Sequence, residues 1–326
     1  MSSKHSKIFS WLVGKESTYG TEVASTLDWG LIQSFSPTDK RTHTKIQTTG
    51  SREIQEIVAG MVDIDWEVSL YLQHARPIEA LLGTLTHAET TSDWKHSITA
   101  VPSTVPSYSI EYSLNDSTDL VFDYLGSKLN TGTIALEKEG ILTFNGSGKS
   151  KTVDTSEASA GAAVIDTLNI LHYKHADVLV GVASSEASIG KVQSFNLTFN
   201  NTPTMVDTTG SIFHQEQVEG LFEPTGDFTV VFENLTEYQR LLGTTSSTTP
   251  QVSPTAFSTI FNLHNSVTLG SGRQEFYAQL DDCQYEEVGN PLNVGEIVIS
   301  SFKMNAVTYG SNGVFMVDDV SSGNFG

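Results

Sequence analysis

The chain carries one cysteine, Cys283, in 326 residues, so it can form no internal disulfide and no cysteine-cluster zinc or iron–sulfur site. Its fold must rest on packing alone. Positive charge is also scarce: 18 Lys and Arg stand against 38 Asp and Glu, a net charge of −20. Cut at residue 160, the halves carry −7 (13 basic, 20 acidic) and −13 (5 basic, 18 acidic), so both repel phosphate and anionic lipid. Tight nucleic-acid or membrane binding through counterion release is therefore not expected. No apolar run approaches the length of a membrane-spanning helix, and the longest N-terminal stretch, Ile8 to Gly14, is too short for the core of a secretion signal. What the chain does have is small hydroxyls, 38 Ser and 37 Thr, the composition of a β-rich protein with a polar surface.

The chain contains itself twice. Residues 30–84 align without a gap on residues 190–244 at an offset of 160, with 19 of 55 positions identical, against about three expected by chance. Gly30-Leu-Ile-Gln-Ser-Phe35 matches Gly190-Lys-Val-Gln-Ser-Phe195, Thr48-Thr-Gly-Ser51 matches Thr208-Thr-Gly-Ser211, and Leu81-Leu-Gly-Thr84 matches Leu241-Leu-Gly-Thr244. A second block, Gly126-x-x-Leu-Asn-x-Gly-x-Ile134 against Gly289-x-x-Leu-Asn-x-Gly-x-Ile297, gives an offset of 163 and suggests a gain of about three residues in copy two. The Ser/Gly/Ala/Thr-rich stretch Ser147 to Ala163 reads as the linker, which sets two domains at 1–155 and 156–326. Thr244 to Pro254 reads as a long loop within copy two.

Within each copy the main signal is alternation. From Val62 to Leu72 apolar residues fill every second place, with Asp63, Asp65 and Glu67 on the opposite face. Copy two keeps this through Phe222, Phe228, Val230 and Phe232, with Glu223, Asp227 and Glu233 opposite; Pro224 and Gly226 suggest a bent or bulged strand start. A two-turn helix follows, opened by Pro77 at its first position or by Thr236 as N-cap, and stopped by Gly83 or Gly243. Its stripe is Ile78, Leu81 and Leu82, or Tyr238, Leu241 and Leu242. Further strands are expected at Tyr108–Leu114, Leu120–Leu125, Thr133–Glu137 and Ile141–Asn145, and in copy two at Phe276–Leu280, Gln284–Val288, Glu296–Ser300 and Met304–Tyr309. The fold class is mainly β: two tandem antiparallel β-sandwiches or open barrels, each with one short helix, whose strand edges favour assembly.

No constellation of catalytic residues emerges. Gly146-Ser-Gly-Lys-Ser150 lacks the first glycine of a phosphate loop, since Thr143 stands there, and reads as a flexible turn into the linker. His172 and His175 have no third ligand in view, and Cys283, aligned with Leu120, reads as a buried small residue. N-x-S/T sequences such as those at Asn115, Asn145, Asn196 and Asn234 are what so Ser/Thr-rich a chain gives by chance. Asp63 and Asp65 admit three readings: a solvated acidic face, the acidic lining of a channel, or a carboxylate pair for chemistry. No enzyme activity, cofactor or metal is expected.

Two segments resemble the tail tube proteins of long-tailed bacterial and archaeal viruses. Lys15-Glu-Ser-Thr-Tyr-Gly-Thr21 is similar to their E-[ST]-T-Y/W-G-T opening. Asp119-Leu-Val-Phe-Asp-Tyr-Leu-Gly-Ser-Lys-Leu-Asn130, followed by Ile134-Ala-Leu-Glu-Lys-Glu-Gly140, is similar to a later family segment. The resemblance covers about residues 15–145 well and, through the repeat, 170–310 more loosely. It implies a structural virion protein whose domains join edge to edge into rings stacked as a tube, a conduit for viral DNA that passes without specific binding. A chain with two tube domains would close a ring from three copies or six, beside other tail proteins and with no membrane partner. Asp63, Asp65, Glu67, Glu223, Asp227 and Glu233 would then face the lumen. The weakly patterned stretch Phe35 to Gln47, with Lys40, Arg41 and Lys45, would be a loop reaching the adjacent ring, although its counterpart Asn196 to Asp207 carries no base. A baseplate hub or distal tail ring would share the domain type; a β-repeat adhesin or a carbohydrate-active enzyme fits less well.

Overall fold

The computed structural model describes residues 9–50, 52–90, 93–100, 104–114, 120–156, 170–269, 272–289 and 297–318. Copy one supplies β1 (Phe9–Lys15), β2 (Leu31–Ile46), β3 (Glu56–Tyr71), α1 (Arg76–Leu82), β4 (Gly83–Thr90), β5 (Asp93–Ala100), β6 (Tyr108–Leu114), β7 (Leu120–Leu136), β8 (Thr143–Ser150) and β9 (Thr152–Asp154). Copy two supplies β10 (Ala176–Gly181), β11 (Ala187–Ser188), β12 (Val192–Asn200), β13 (Thr204–Val206), β14 (Glu216–Val218), β15 (Glu223–Val231), α2 (Thr236–Leu242), β16 (Phe257–Leu269), β17 (Gly272–Gly289), β18 (Ile299–Asn305) and β19 (Thr308–Asp318).

One antiparallel sheet runs through both copies in the order β2-β3-β8-β7-β12-β15-β18-β17. A second layer covers one face of it. In copy one that layer is β1-β6-β7-β9, and in copy two it is β11-β10-β16-β17-β19-β5-β4. The long strands β7 and β17 serve both layers, and each breaks register as it enters the through-running sheet, at Leu129/Thr131 and at Tyr285/Glu287. A bulge there increases twist and lets a strand turn the corner between sheets. The core fills the space between the layers: Trp11, Trp29, Trp66 and Tyr108 in copy one, Phe195, Phe228, Phe261 and Phe302 in copy two. The mainly β, antiparallel class is as expected from the alternation.

The element boundaries differ from the sequence reading where neighbours, not local pattern, decide. The alternating strand extends to Glu56 in β3, and the Pro224–Gly226 stretch holds register with β12; copy two's interruption lies earlier, between β14 and β15. Helix α1 opens at Arg76 with Pro77 in its first turn, and Thr236 is the first residue of α2 rather than its cap, Asn234 Oδ1 accepting from its N–H at 2.9 Å. Gly83 and Gly243 stop the helices at φ of 106° and 143°, a region that disfavours side chains. The two strands expected in 120–137 are the single β7, and Met304–Tyr309 divides between β18 and β19. Thr244–Pro254 is a loop, as read. The hairpin β4–β5 carries no strong alternation and was not expected; it pairs with β19 of copy two.

Ser147–Asp154 is not linker. It belongs to β8, which pairs with β3 on one side and β7 on the other, and to β9. Residues 157–163 of the expected linker, and the proposed boundary at 155/156 onward, lead into residues outside those described. The glycines that made 146–150 look like a turn are instead cut-outs for large neighbours: a Cβ on Gly148 would overlap the Trp66 indole, and one on Gly146 would stand 2.7 Å from Leu129 Cδ2.

The sheet register also corrects the second repeat block. Tyr108 pairs with Ser127 and Ile110 with Tyr124, as Phe257 pairs with Cys283 and Thr259 with Leu280. Leu129 opposes Gly148 as Tyr285 opposes Met304. Cys283 therefore occupies the place of Ser127, not Leu120, and this half of copy two runs at an offset of 156 rather than 163. The packing agrees with the new register. Trp66 lies against Gly148 in copy one, whereas in copy two Gly226 lies against Met304, a Cβ on Gly226 standing 2.6 Å from Met304 Cε. Large and small residues have exchanged strands at one packing site, which preserves the filled volume. Cys283 is buried, and burial pushes its thiol up to about 12, so it is no nucleophile at neutral pH.

Candidate assembly surface

The uncovered face of the through-running sheet brings together most of the predicted carboxylates. On β3, Ile64, Trp66 and Val68 are buried while Asp63, Asp65 and Glu67 point the other way, as the alternation requires. Glu223 and Asp227 occupy the same face of β15, opposite the buried Pro224, Gly226 and Phe228. Glu233 lies past the end of that strand and pairs with Lys191 at 2.6 Å.

These carboxylates do not stand alone. Lys149 Nζ bonds Asp63 at 2.5 Å and Asp65 at 2.6 Å, and Lys40 Nζ bonds Asp65 at 2.6 Å. Asn196 Nδ2 donates to Asp227 at 2.8 Å, and Lys303 pairs with Glu286 at 2.7 Å. Between the charges the face is carpeted with hydroxyls and amides: Ser34 and Ser36 on β2, Ser69 on β3, Asn145 and Ser147 on β8, Thr131 and Thr133 on β7. Sequence reading missed both Lys149 and this carpet, because the inward partners that would have revealed alternation in β8 are glycines. Burial alone would raise Asp65, but the bonds and charges of Lys149 and Lys40 outweigh it and hold the carboxyl below its ordinary value; burial pushes Asp227 up. Asp65 thus favours the folded state above the ordinary carboxylate pKa, and this is lost as pH falls through its depressed value. In an NMR pH titration of side-chain carboxyls, Asp227 is expected to protonate at a higher pH than Asp65; the reverse order would mean that the lysine bridges are absent in solution.

Phe35–Gln47, expected as a loop, is mostly the strand β2, paired with β3 along its whole length. Lys40 and Arg41 lie along it, and Lys45 is exposed near its far end. Only the hairpin turn around Thr48–Gly50 is loop. The strand was hidden because nothing covers it: its residues are exposed apart from the half-buried Ile32, Phe35 and Pro37.

The centre of the sheet is a seam between copies, where β12 pairs with β7 from Phe195↔Leu136 to Asn200↔Thr131. Thr133 and Thr198 hydroxyls meet across it at 2.9 Å, and Thr131 Oγ1 donates to Asn200 at 3.2 Å. Beyond β12 the chain continues as an arm, 201–221, that folds over copy one. Asn201 Nδ2 donates to the Leu81 carbonyl at 2.8 Å, Gln217 Nε2 to Asn130 at 2.6 Å, and the buried Lys128 ammonium to Gln217 O at 3.0 Å and Glu219 at 2.8 Å. Every residue of α1 is buried, packed against β7 and the β4–β5 hairpin; no residue of α2 is. The sheet ends at β2 on one side and at the last residues of β17 on the other, and among the described residues neither outer edge is paired.

The sequence comparison decides what kind of protein builds this sheet: a family model described as phage tail tube protein matches residues 11–311. The chain belongs to that family. It is therefore a structural component of a viral tail. No curated protein matches it in sequence. Among solved structures it is similar to the SPP1 tail tube, determined by solid-state NMR and cryo-electron microscopy, at 10% identity over 44% of this chain and 79% of that one. The TM-score is 0.31, too low to add to the fold argument.

In this tail tube protein the two segments that carried the family resemblance meet. Glu16, 8% exposed, accepts four hydrogen bonds: from Gly20 N (2.8 Å) and Ser107 Oγ (2.7 Å) at one oxygen, from Ser109 Oγ (3.0 Å) and Gly126 N (2.8 Å) at the other. Gly20 and Gly126 both have positive φ, which turns their N–H groups toward the carboxylate. Lys128 and Lys151 stand over the Tyr19 ring at 5.4 and 5.3 Å. The signature is thus a packing junction next to the inter-copy seam, through Lys128, rather than a binding site.

Proposed function

We propose that copies of this tail tube protein join edge to edge, β17 of one to β2 of the next, into rings that stack as the tube. The observation that carries the reading is that the two free edges of the sheet are repeat counterparts of the two strands already paired at its centre, β2 of β12 and β17 of β7. A surface that binds its own counterpart head to tail propagates, and it closes as a ring when the rotation per step divides the circle. Closure also removes the strand edges that otherwise invite aggregation. The uncovered face would line the lumen, with Asp63, Asp65, Glu67, Glu223 and Asp227 repelling DNA phosphate and the hydroxyl carpet keeping water at the wall. Lys40 and Lys149 reduce that charge locally, so the lining reads as weakly acidic and well hydrated. Glu233, beyond the strand end, belongs to its rim. Contact with the next ring is assigned to the turn of the β2–β3 hairpin, with the exposed Lys45 beside it.

Negative-stain electron microscopy of the purified protein over a concentration series tests this. Uniform tubes with a stain-filled channel are expected, their symmetry giving three or six chains per ring. Single rings without tubes would favour a terminal tail ring, and monomers at high concentration would overturn the self-assembly reading.

A further inference from the structure

The covalent seam inside the chain serves as a template for the seam between chains, and the substitutions between copies show how the second differs. β2 corresponds to β12 at the offset of 160, and the end of β17 to β7 at 156. Transferring the observed pairs Thr198↔Thr133 and Asn200↔Thr131 sets Thr38 of one chain opposite Gly289 of the next, and Lys40 opposite Glu287. Asn201, whose backbone N–H bonds Asn130 O at 2.8 Å, becomes Arg41, and Asn130 becomes Glu286. Neutral hydroxyl and amide contacts inside the chain are thus replaced by Lys and Arg against two Glu, with Lys40 and Glu286 at present bonded within the chain to Asp65 and Lys303 and exchanging or sharing those partners on docking.

We infer that a second copy of this chain docks on the β17 edge through a charge-complementary seam, Lys40 and Arg41 of one copy against Glu287 and Glu286 of its neighbour. This rests on the edge-to-edge reading above and adds its register and its chemistry. Two features of the copies agree with it. The arm residue Gln217 is 1% exposed under the internal seam, while its counterpart Ile57 is 57% exposed and ready to be covered. Helix α2, the counterpart of the buried α1 to which the arm residue Asn201 bonds, leaves its own Tyr238 and the preceding Leu235 at 37% and 55% exposure. The physical logic follows from linkage. The internal seam forms within one chain at high effective concentration and needs no charge to find its register. The external seam forms between separate, strongly acidic molecules that repel one another, so a local basic strip facing a local acidic one supplies both steering and register.

Two variants test it. Thr38→Cys with Gly289→Cys leaves all four charges in place, and a Cβ on Gly289 meets only the Ser301 hydroxyl, at 2.5 Å. Mild oxidation of assembled protein is expected to give a ladder of covalent oligomers, with the buried Cys283 unreacted. Glu287→Lys, at an exposed site, is expected to keep the wild-type melting temperature while weakening association at least about tenfold in sedimentation. If the wild type assembles but the cysteine pair does not cross-link and Glu287→Lys assembles normally, this seam is wrong while the ring reading stands. If the wild type does not assemble, both fall.

Discussion

Glu16→Ala lowers the melting temperature by about 5 °C. The side chain is the common acceptor for two backbone N–H groups and two serine hydroxyls, all enclosed where β1 leads into the 16–21 segment and β7 turns past Gly126. Alanine removes the acceptor from a site where Glu16 is only 8% exposed. Each buried donor left unmade costs about 1–3 kcal/mol, and the hydroxyls can rotate toward other acceptors, so the two amides dominate and the loss is about 3–4 kcal/mol. At about 1.5 °C per kcal/mol for a chain of 326 residues, the shift is near 5 °C. Glu16→Gln keeps one carbonyl oxygen but turns an NH2 toward donors, so it falls between. A thermal melt followed by circular dichroism measures both; an alanine variant within 2 °C of wild type would mean the carboxylate is not the junction described. Because the junction adjoins Lys128, which anchors the 201–221 arm, the variant is also expected to loosen that arm, seen as faster amide exchange at Gln217.

The second large effect is at the exchanged packing site. Gly148→Ala forces a methyl into the Trp66 indole and the Lys128 carbonyl, and with backbone on one side the strand itself has to shift. The expected cost is about 3 kcal/mol, at the upper end for overpacking. Trp66→Gly alone empties a fully buried indole site and costs about 4 kcal/mol or more. The double variant Trp66→Gly with Gly148→Met reproduces the arrangement that copy two uses, Gly226 against Met304. It is expected to recover more than half of the Trp66→Gly loss, at least about 2 kcal/mol in urea denaturation, where additive effects would only add to that loss. Additive effects would show that the two copies do not share this site, and with it the offset of 156 would fail.

Alternation was legible wherever one face of a strand is apolar and the other polar. That is why β3 and its outward Asp63, Asp65 and Glu67 follow from sequence, and why the helix after it was found from Leu81-Leu-Gly. It failed in the second half of β8, where the inward residues are Gly146 and Gly148, and in β2, where Ile32, Phe35 and Pro37 alone are half-buried. In both, the strand exists because a neighbour supplies the pairing. The counterions of the acidic face, Lys149 and Lys40, were invisible for the same reason: one lay in a supposed linker, the other in a supposed loop.

The repeat, the mainly β class and the family follow from the amino-acid sequence by itself, because they depend on residue identity and local period. The register of the second half, the union of both copies in one sheet and the matching of its two free edges were settled only by tertiary structure. Glycine–leucine–asparagine blocks at an offset of 163 imitate homology, whereas hydrogen-bond register and the exchange of Trp66 and Gly148 for Gly226 and Met304 admit only 156. Pairing between strands distant in the chain is fixed by backbone geometry and filled volume, and neither is written in a one-dimensional pattern.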